Sequence, residues 1–252
     1  MFLVRRHYAI AFMGGAHVFP GGRVDKSDWA DASRVTDVPE RIGRRMSDVS
    51  AHDALAHHVA AVRELFEEAG VLLTPDPLDA TTVARLARHR RDLLAGTTSF
   101  SAILEAEGLQ PGVDRLSYFS HWVTPVMELK RFDARFFVAR APEGQTPIHD
   151  DGETTDSAWF DPEEAIARCR AGEIALPPPT WTTLDALARF RSIDDALAWA
   201  SNTPVPCIQP VFIEDDGQRT VCFPGDPLYP AVEGFNATHT RFVFHDDRWR
   251  PT

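Results

Sequence analysis

Apolar residues recur at the helical period from Leu55 through Val59, Val62, Leu65 and Phe66 to Ala69, which predicts one long amphipathic helix. Ser50 with Asp53 three residues on resembles a capping box at its start, and Gly70 supplies the stop. Val71-Leu72-Leu73 continues as an extended run until Pro75 and Pro77 break it. Helical spacing returns over 79–95, at Val83, Leu86, Ala87, Arg90, Leu93 and Leu94, and a shorter helix is expected over 99–107. Upstream, Phe2-Leu3-Val4 reads as a strand. Residues 9–19 are small and apolar around Gly14-Gly15, Phe19-Pro20-Gly21-Gly22 makes a sharp turn, and 26–50 is a polar excursion with room for a short helix. From 116 to 140 the period changes to two. Phe132, Ala134, Phe136 and Val138 take one face, and Arg131, Asp133 and Arg135 the other.

An acidic loop follows at 145–156, then a short strand at Ala158-Trp159-Phe160 and a helix from the Asp161 cap to about 171. Pro177-Pro178-Pro179 is a rigid spacer before helices near 180–190 and 193–200. The tail, 205–252, is strand-rich, with turns at Asp216-Gly217 and Pro224-Gly225-Asp226-Pro227. With no repeat, low-complexity segment or flexible linker, the pattern is that of one α/β domain over 1–252, carrying a helical segment at 75–115.

Composition narrows the partners. The chain has 252 residues, 44% apolar and 25% charged, ordinary for a globular protein that buries a large core. Its formal charge of −11 argues against nucleic acid or an anionic membrane as partner. A phosphate-bearing substrate would then need its charge met locally, by a metal or by clustered arginines. No apolar run approaches the roughly 18 residues of a membrane span, and no signal-peptide pattern opens the chain. Cys169, Cys207 and Cys222 are odd in number and far apart. They read as reduced thiols in a cytoplasmic protein, not as a disulfide frame or zinc site. His57 and His58 point about 100° apart on their helix, which disfavours a histidine metal site.

The chemistry concentrates in Arg63-Glu64-Leu65-Phe66-Glu67-Glu68-Ala69-Gly70-Val71. At about 100° per residue, Glu67 and Glu68 fall on either side of Glu64, within roughly 60° of it. Three like charges so placed disfavour the helix by a few tenths of a kcal/mol per pair, whereas grouped hard oxygen ligands suit Mg²⁺ or Mn²⁺. Most Glu-rich helix faces are solvated surface. Here the helix is apolar on its other side, and the Gly21-Gly22 turn upstream offers backbone N–H groups to phosphate oxygens. Arg63 and Glu67 form an i,i+4 pair, so the arginine orients the cluster.

These residues resemble the Nudix signature: Gly, five residues, Glu, seven residues, then Arg-Glu-aliphatic-any-Glu-Glu-any-Gly-aliphatic. Residues 63–71 match every specified position of the second half, and Phe19 to Asp25 resemble the first half. The middle departs. Gly22 and Arg63 stand 41 positions apart, against 14 in an uninterrupted signature, so 27 residues are inserted. Asp28 stands where the first signature glutamate is counted from Gly22, and Leu55 where it is counted back from Arg63. That glutamate is displaced or replaced, and no role is assigned to it. An interrupted signature resembles the branch containing the peroxisomal coenzyme A diphosphatases. His121-Trp122-Val123-Thr124-Pro125, Arg131 to Phe137, Glu153 with Trp159-Phe160, and Leu176 to Thr180 also resemble that branch.

The resemblance implies an α/β/α sandwich around a mixed sheet, with a partly helical insertion at 26–50. It implies Mg²⁺ or Mn²⁺ held by Glu64, Glu67 and Glu68, with Arg63 as their orienter and Glu153 as general base, or Glu67 in its place. Gly21, Gly22 and Arg23 would face the substrate. Arg131 and Arg135 either grip phosphate or form an intrastrand ladder with Asp133. The implied substrate is a small nucleoside-diphosphate-linked compound, coenzyme A or acyl-coenzyme A ahead of a nucleotide sugar or dinucleotide. A non-catalytic ligand sensor is the rival class; the intact glutamate set argues against it, and Asp28 and Leu55 argue for it. A Nudix sheet normally has a strand before the one at 2–5. The expectation is an upstream start, the alternatives being an edge filled by the tail or by a second subunit of a homodimer.

Overall fold

The computed structural model describes residues 1–9, 13–36, 38–125, 131–235, 237–246 and 248–252. Strands β1 (Phe2–Arg6) and β2 (His17–Val18) lead into the insertion, which carries two short helices, α1 (Lys26–Ala32) and α2 (Arg41–Arg45). Helix α3 (Ala51–Ala69) is the long amphipathic helix. The helical segment follows as α4 (Ala80–Leu94) and α5 (Phe100–Glu107). Then come β3 (Ser117–Val123), β4 (Asp133–Val138), β5 (Thr154–Trp159), α6 (Pro162–Arg170), α7 (Pro178–Ala188) and α8 (Ile193–Asn202). The tail forms β6 (Cys207–Ile208), β7 (Val211–Asp215), β8 (Gln218–Cys222), β9 (Arg241–His245) and β10 (Arg248–Pro251).

The mixed α/β architecture is as expected, and its hydrogen-bonded strands fall into three short sheets. The orders are β2-β1-β5, β4-β3-β6 and β10-β9-β8-β7. Strand β6 runs parallel to β3, so the beginning of the tail occupies an edge of the second sheet. The rest of the tail is an antiparallel meander. Its Asp216-Gly217 turn has both residues at positive φ, 45° and 77°, as a type I′ hairpin requires. Strand β1 lies between β2 and β5. The extended run at Val71-Leu72-Leu73 is buried but belongs to no strand. The Gln145 side-chain amide takes the place of a neighbouring strand. Its Oε1 accepts the Leu72 N–H and its Nε2 donates to the Leu72 carbonyl, both at 2.9 Å.

Helix α3 begins where the Ser50 Oγ accepts the Asp53 N–H at 3.1 Å. It ends where Gly70 adopts φ 69° and donates its N–H to the Phe66 carbonyl. That left-handed geometry is open to glycine at little cost. The helix packs against different partners along its length. Leu55 and Val59 join Ala32, Ile42 and Met46 of the insertion, together with Tyr118 of β3. Further on, Val62 and Phe66 join Leu86 of α4 and Phe100, Ile103 and Leu104 of α5. A separate core of Leu3, Trp122, Trp181, Leu184, Phe223 and Phe242 ties β1 and α7 to the tail. The insertion and the helical segment thus grip the two ends of α3 and fix its rotation.

His58 lies in the grip of the insertion. It is 2% exposed, its Nδ1–H donates to the Ala54 carbonyl at 2.7 Å, and its ring packs edge-on to Phe137. Burial pushes its pKa down to about 4. The folded protein therefore keeps His58 neutral, while the unfolded chain protonates it near 6.5. Its contribution is intact above 6.5 and is lost as pH falls toward 4, about 3 kcal/mol in all. Urea unfolding of wild type and His58→Phe from pH 7 to 4 is expected to show wild type losing about that much relative to the variant. A difference independent of pH would refute the assignment.

Candidate active site

Arg63 is the organising cation. Its side chain is 7% exposed, and that of Asp28, from α1, is 0% exposed. Arg63 Nε donates to Asp28 Oδ1 at 2.8 Å, and Nη2 donates to Oδ2 at 2.9 Å and to the Arg23 carbonyl at 2.8 Å. Nη1 donates to Glu64 Oε1 at 2.8 Å and to Glu67 Oε2 at 3.2 Å. Burial alone would discourage the cation; the bond to Asp28 and the charges of Glu64, Asp28 and Glu67 reverse this and raise the Arg63 pKa. Asp28 thus does the work for which the sequence assigns no residue. The signal was present: Asp28 keeps the signature spacing from Gly22, although the side chain is one methylene shorter than glutamate.

The three glutamates share one end of α3, as their spacing predicts. Glu64 lies against Gly22, where a Cβ would come within 2.5–2.6 Å of the Glu64 carboxylate, so only glycine leaves that carboxylate its place. The Glu68 Oε2 accepts the Gly21 N–H at 2.8 Å. That N–H therefore serves a carboxylate here, where the sequence offered it to a phosphate. Burial pushes the Glu64 carboxyl up to about 7 and the Glu68 carboxyl up to about 8, and it raises Glu67 as well. Neighbouring negative charges add to this: Glu67 and Asp28 act on Glu64, and Glu64, Glu153 and Asp150 act on Glu68.

Among the described residues, no three His, Cys, Asp or Glu side chains converge as a finished ligand set. Arg63 Nη1 stands between Glu64 and Glu67, and Glu68 is turned to Gly21. The chemistry of the donors nevertheless fits a divalent cation. They are all carboxylate oxygens, half-buried, three negative groups to the one cation of Arg63, on a helix whose other sides are fixed by packing.

The acidic loop reaches this end of α3. Ile148 N–H donates to the Ala69 carbonyl at 2.9 Å. The Asp150 carboxylate accepts the N–H groups of Glu153 and Thr154, each at 3.0 Å, and the Thr154 hydroxyl at 2.5 Å. Glu153 is thereby held on an ordered turn near Glu68, with its side chain exposed. Arg23 is exposed at the glycine turn. The two strand arginines are placed differently. Arg135 has a side chain 3% exposed, bonded to both carboxylate oxygens of Asp48 at 3.1 and 2.6 Å and paired with Asp133 at 3.5 Å. The ladder alternative therefore describes Arg135, whose hydrogen bonds and ion pairs among the described residues go to Asp48, Tyr118 and Asp133 and not to the glutamates. Arg131 is exposed, with Nε donating to the Thr124 carbonyl at 3.1 Å.

Two substitutions probe this geometry. Asp28→Ala leaves the Arg63 cation buried and half-satisfied, and is expected to cost about 3–5 kcal/mol in urea unfolding; a loss under about 1 kcal/mol would contradict the pairing. Gly22→Ala places a methyl group where the Glu64 carboxylate lies. It is expected to leave the melting temperature within a few degrees of wild type and to weaken Mg²⁺ binding at least about tenfold by calorimetry. Unchanged binding would remove Glu64 from the site.

Comparison with known proteins identifies the family. The model of the NUDT19 Nudix domain matches residues 35–187, more than half of the chain. The acyl-coenzyme A diphosphatase NUDT19 of Xenopus laevis is 25% identical over 90% of this chain and 70% of its own length. Its human counterpart is 28% identical over 91% and 72%. The crystal structure of a Nudix hydrolase from Alicyclobacillus acidocaldarius superposes with a TM-score of 0.59 at 28% identity, over 78% of this chain and 86% of that one. Nudix hydrolases generally use divalent metal ions. The chain belongs to the NUDT19 Nudix domain family and is a Nudix hydrolase.

Proposed function

We propose that this chain cleaves the diphosphate bond of coenzyme A or an acyl-coenzyme A, with Mg²⁺ or Mn²⁺ held by Glu64, Glu67 and Glu68. The observation that carries the reading is the trio of half-buried carboxylates on one end of α3, set against the Gly21-Gly22 turn, with one guanidinium, that of Arg63, bonded to two of them. The choice of coenzyme A rests on relatives named acyl-coenzyme A diphosphatases that align with nine-tenths of the chain. A divalent cation held there supplies Lewis-acid polarisation of a phosphoryl oxygen and lowers the pKa of a water.

The protein's own groups do the remainder. Arg63 orients Glu64 and Glu67, and its charge favours their ionised form against the effect of burial. The glycine turn lets the backbone approach the carboxylates without a side chain between them. Glu153 accepts the proton of the attacking water, a role its place on the turn built by Asp150 supports; Glu67 is the alternative. Arg23 and Arg131, both exposed, are the candidates for substrate phosphates. Cleavage of coenzyme A at its diphosphate yields adenosine 3′,5′-bisphosphate and 4′-phosphopantetheine, the acyl group staying on the latter.

Purified protein with Mg²⁺ or Mn²⁺ is expected to release those two products from coenzyme A and acetyl-coenzyme A faster than it splits NADH or a nucleoside-diphosphate sugar. The Glu67→Gln/Glu68→Gln double variant is expected to lose at least about 100-fold in kcat, and Glu153→Gln about as much if it is the base. A double variant as active as wild type would overturn the metal assignment. Preference for NADH or a nucleotide sugar would overturn the substrate.

A further inference from the structure

The geometry points to Arg90, in the helical segment that follows the signature, as a positioning residue for diphosphate hydrolysis: it holds the glutamate-bearing end of α3 in place against the acidic loop. Arg90 lies on α4, the first of the two helices packed against the C-terminal part of α3. It is 8% exposed, and its Nε donates to the main-chain carbonyl of Glu67 at 2.9 Å. Its Nη1 lies beside Gly70, where a Cβ would come within 3.0 Å of it. Its Nη2 is buried without a hydrogen-bond partner among the described residues.

The last carbonyls of a helix have no partner within it, and they carry the negative end of its dipole. At this end of α3 the Phe66 carbonyl is taken by Gly70, that of Glu67 by Arg90 and that of Ala69 by Ile148 of the acidic loop. Two of these three donors come from outside the helix, one from α4 and one from the loop. Arg90 therefore fixes the backbone of a residue whose side chain belongs to the site. Its charge also attracts Asp150, Asp151 and Glu68, from the loop and the helix that must be held together. Asp150 builds the turn on which Glu153 stands.

A guanidinium taken this far from water is costly. Packing alone would be served by an apolar side chain, so the charge marks a place where aim matters. A carboxylate set must be held to within a fraction of an ångström to share one cation. In this chain the part of the fold that follows the signature supplies that restraint.

The inference rests on the reading of Glu67 and Glu68 as metal ligands, and its test separates the two. Full-length wild type, Arg90→Gln, Arg90→Lys and Arg85→Met are compared at a temperature where all are folded. Arg85→Met removes the pair between Arg85, about a turn and a half from Arg90 on α4, and Glu107 of α5, and serves as a control for loosening α4. Arg90→Gln is expected to weaken Mg²⁺ binding at least about fivefold by calorimetry, a readout that needs no turnover. On whichever diphosphate wild type splits, its kcat should fall at least about tenfold with KM within about threefold. Arg90→Lys keeps the charge and one donor and should recover part of both losses. Arg85→Met should lower the melting temperature and leave Mg²⁺ binding and kcat within about twofold of wild type. Folded Arg90→Gln with wild-type Mg²⁺ binding and kcat would overturn the proposal, as would equal losses in Arg85→Met. Failure of wild type to bind Mg²⁺ at all would instead overturn the metal reading on which it stands.

Discussion

The buried pair of Arg63 and Asp28 is the constraint on which this site depends. Arginine has five N–H donors, and each has an acceptor here: two on Asp28, one on the Arg23 carbonyl, one on Glu64 and one on Glu67. One side chain thus joins the insertion, the glycine turn and helix α3. Removing two charges from water is costly, and the pair holds because every donor is satisfied in good geometry. The two carboxylates at Nη1 belong to the set proposed to bind a cation, which they do in the ionised form. The arginine that positions them is itself positioned from behind by Asp28.

This explains how a signature interrupted by 27 residues still assembles. The chain leaves the glycine turn, places Asp28 under Arg63 within one helical turn of the start of α1, and only then makes its excursion. The excursion is fastened at several points. Trp29 Nε1 donates to Asp53 Oδ1 at 2.8 Å, at the start of α3. Arg45 donates to the carbonyls of Ala200 and Thr203 at the end of α8, and Asp48 binds Arg135 of β4. Since the cost of closing a loop grows only slowly with its length, such an insertion is tolerated provided its ends are pinned. Here the first end is pinned by Asp28 and the last by the Ser50 cap of α3.

Local chemistry made most of the helices legible. The pattern over 79–95 gave way to a helix over 80–94, that over 99–107 to 100–107, and the Asp161 cap to a helix over 162–170. Caps and periodicity act over a few residues, so they are visible in a single chain. Strand partners are not. Nothing local announces that β6 lies parallel to β3 or that the strands divide into three sheets. The apolar pattern of Val71-Leu72-Leu73 predicts an extended run, and that pattern is the same whether the hydrogen bonds of Leu72 go to a neighbouring strand or, as here, to a glutamine side chain. The three glutamates were readable because one helix carries them. Asp28 was read as a departure because its residue type differed, while its spacing, the informative feature, was retained. Arg90 sat at a core-facing position of its helical pattern, which was a clue to its burial. Its acceptor is a main-chain carbonyl, and backbone acceptors leave no mark in a sequence.

An acidic chain that acts on a phosphorylated substrate must meet negative charge with positive charge at the point of reaction. The composition left two solutions open, a bound metal or clustered arginines. The way the arginines are used favours the first. Arg63 and Arg90, both in contact with the glutamate-bearing end of α3, are buried and hold protein acceptors in place. Arg135 is committed to Asp48 and Asp133. What remains at the site is a concentration of carboxylates whose affinity for protons is raised by burial and by one another. Carboxylates so arranged have a strong demand for a compact cation. On the proposed reading, such a design separates two tasks that a surface cluster of arginines would mix: rigid internal cations shape the site, and an exchangeable divalent cation would face the substrate.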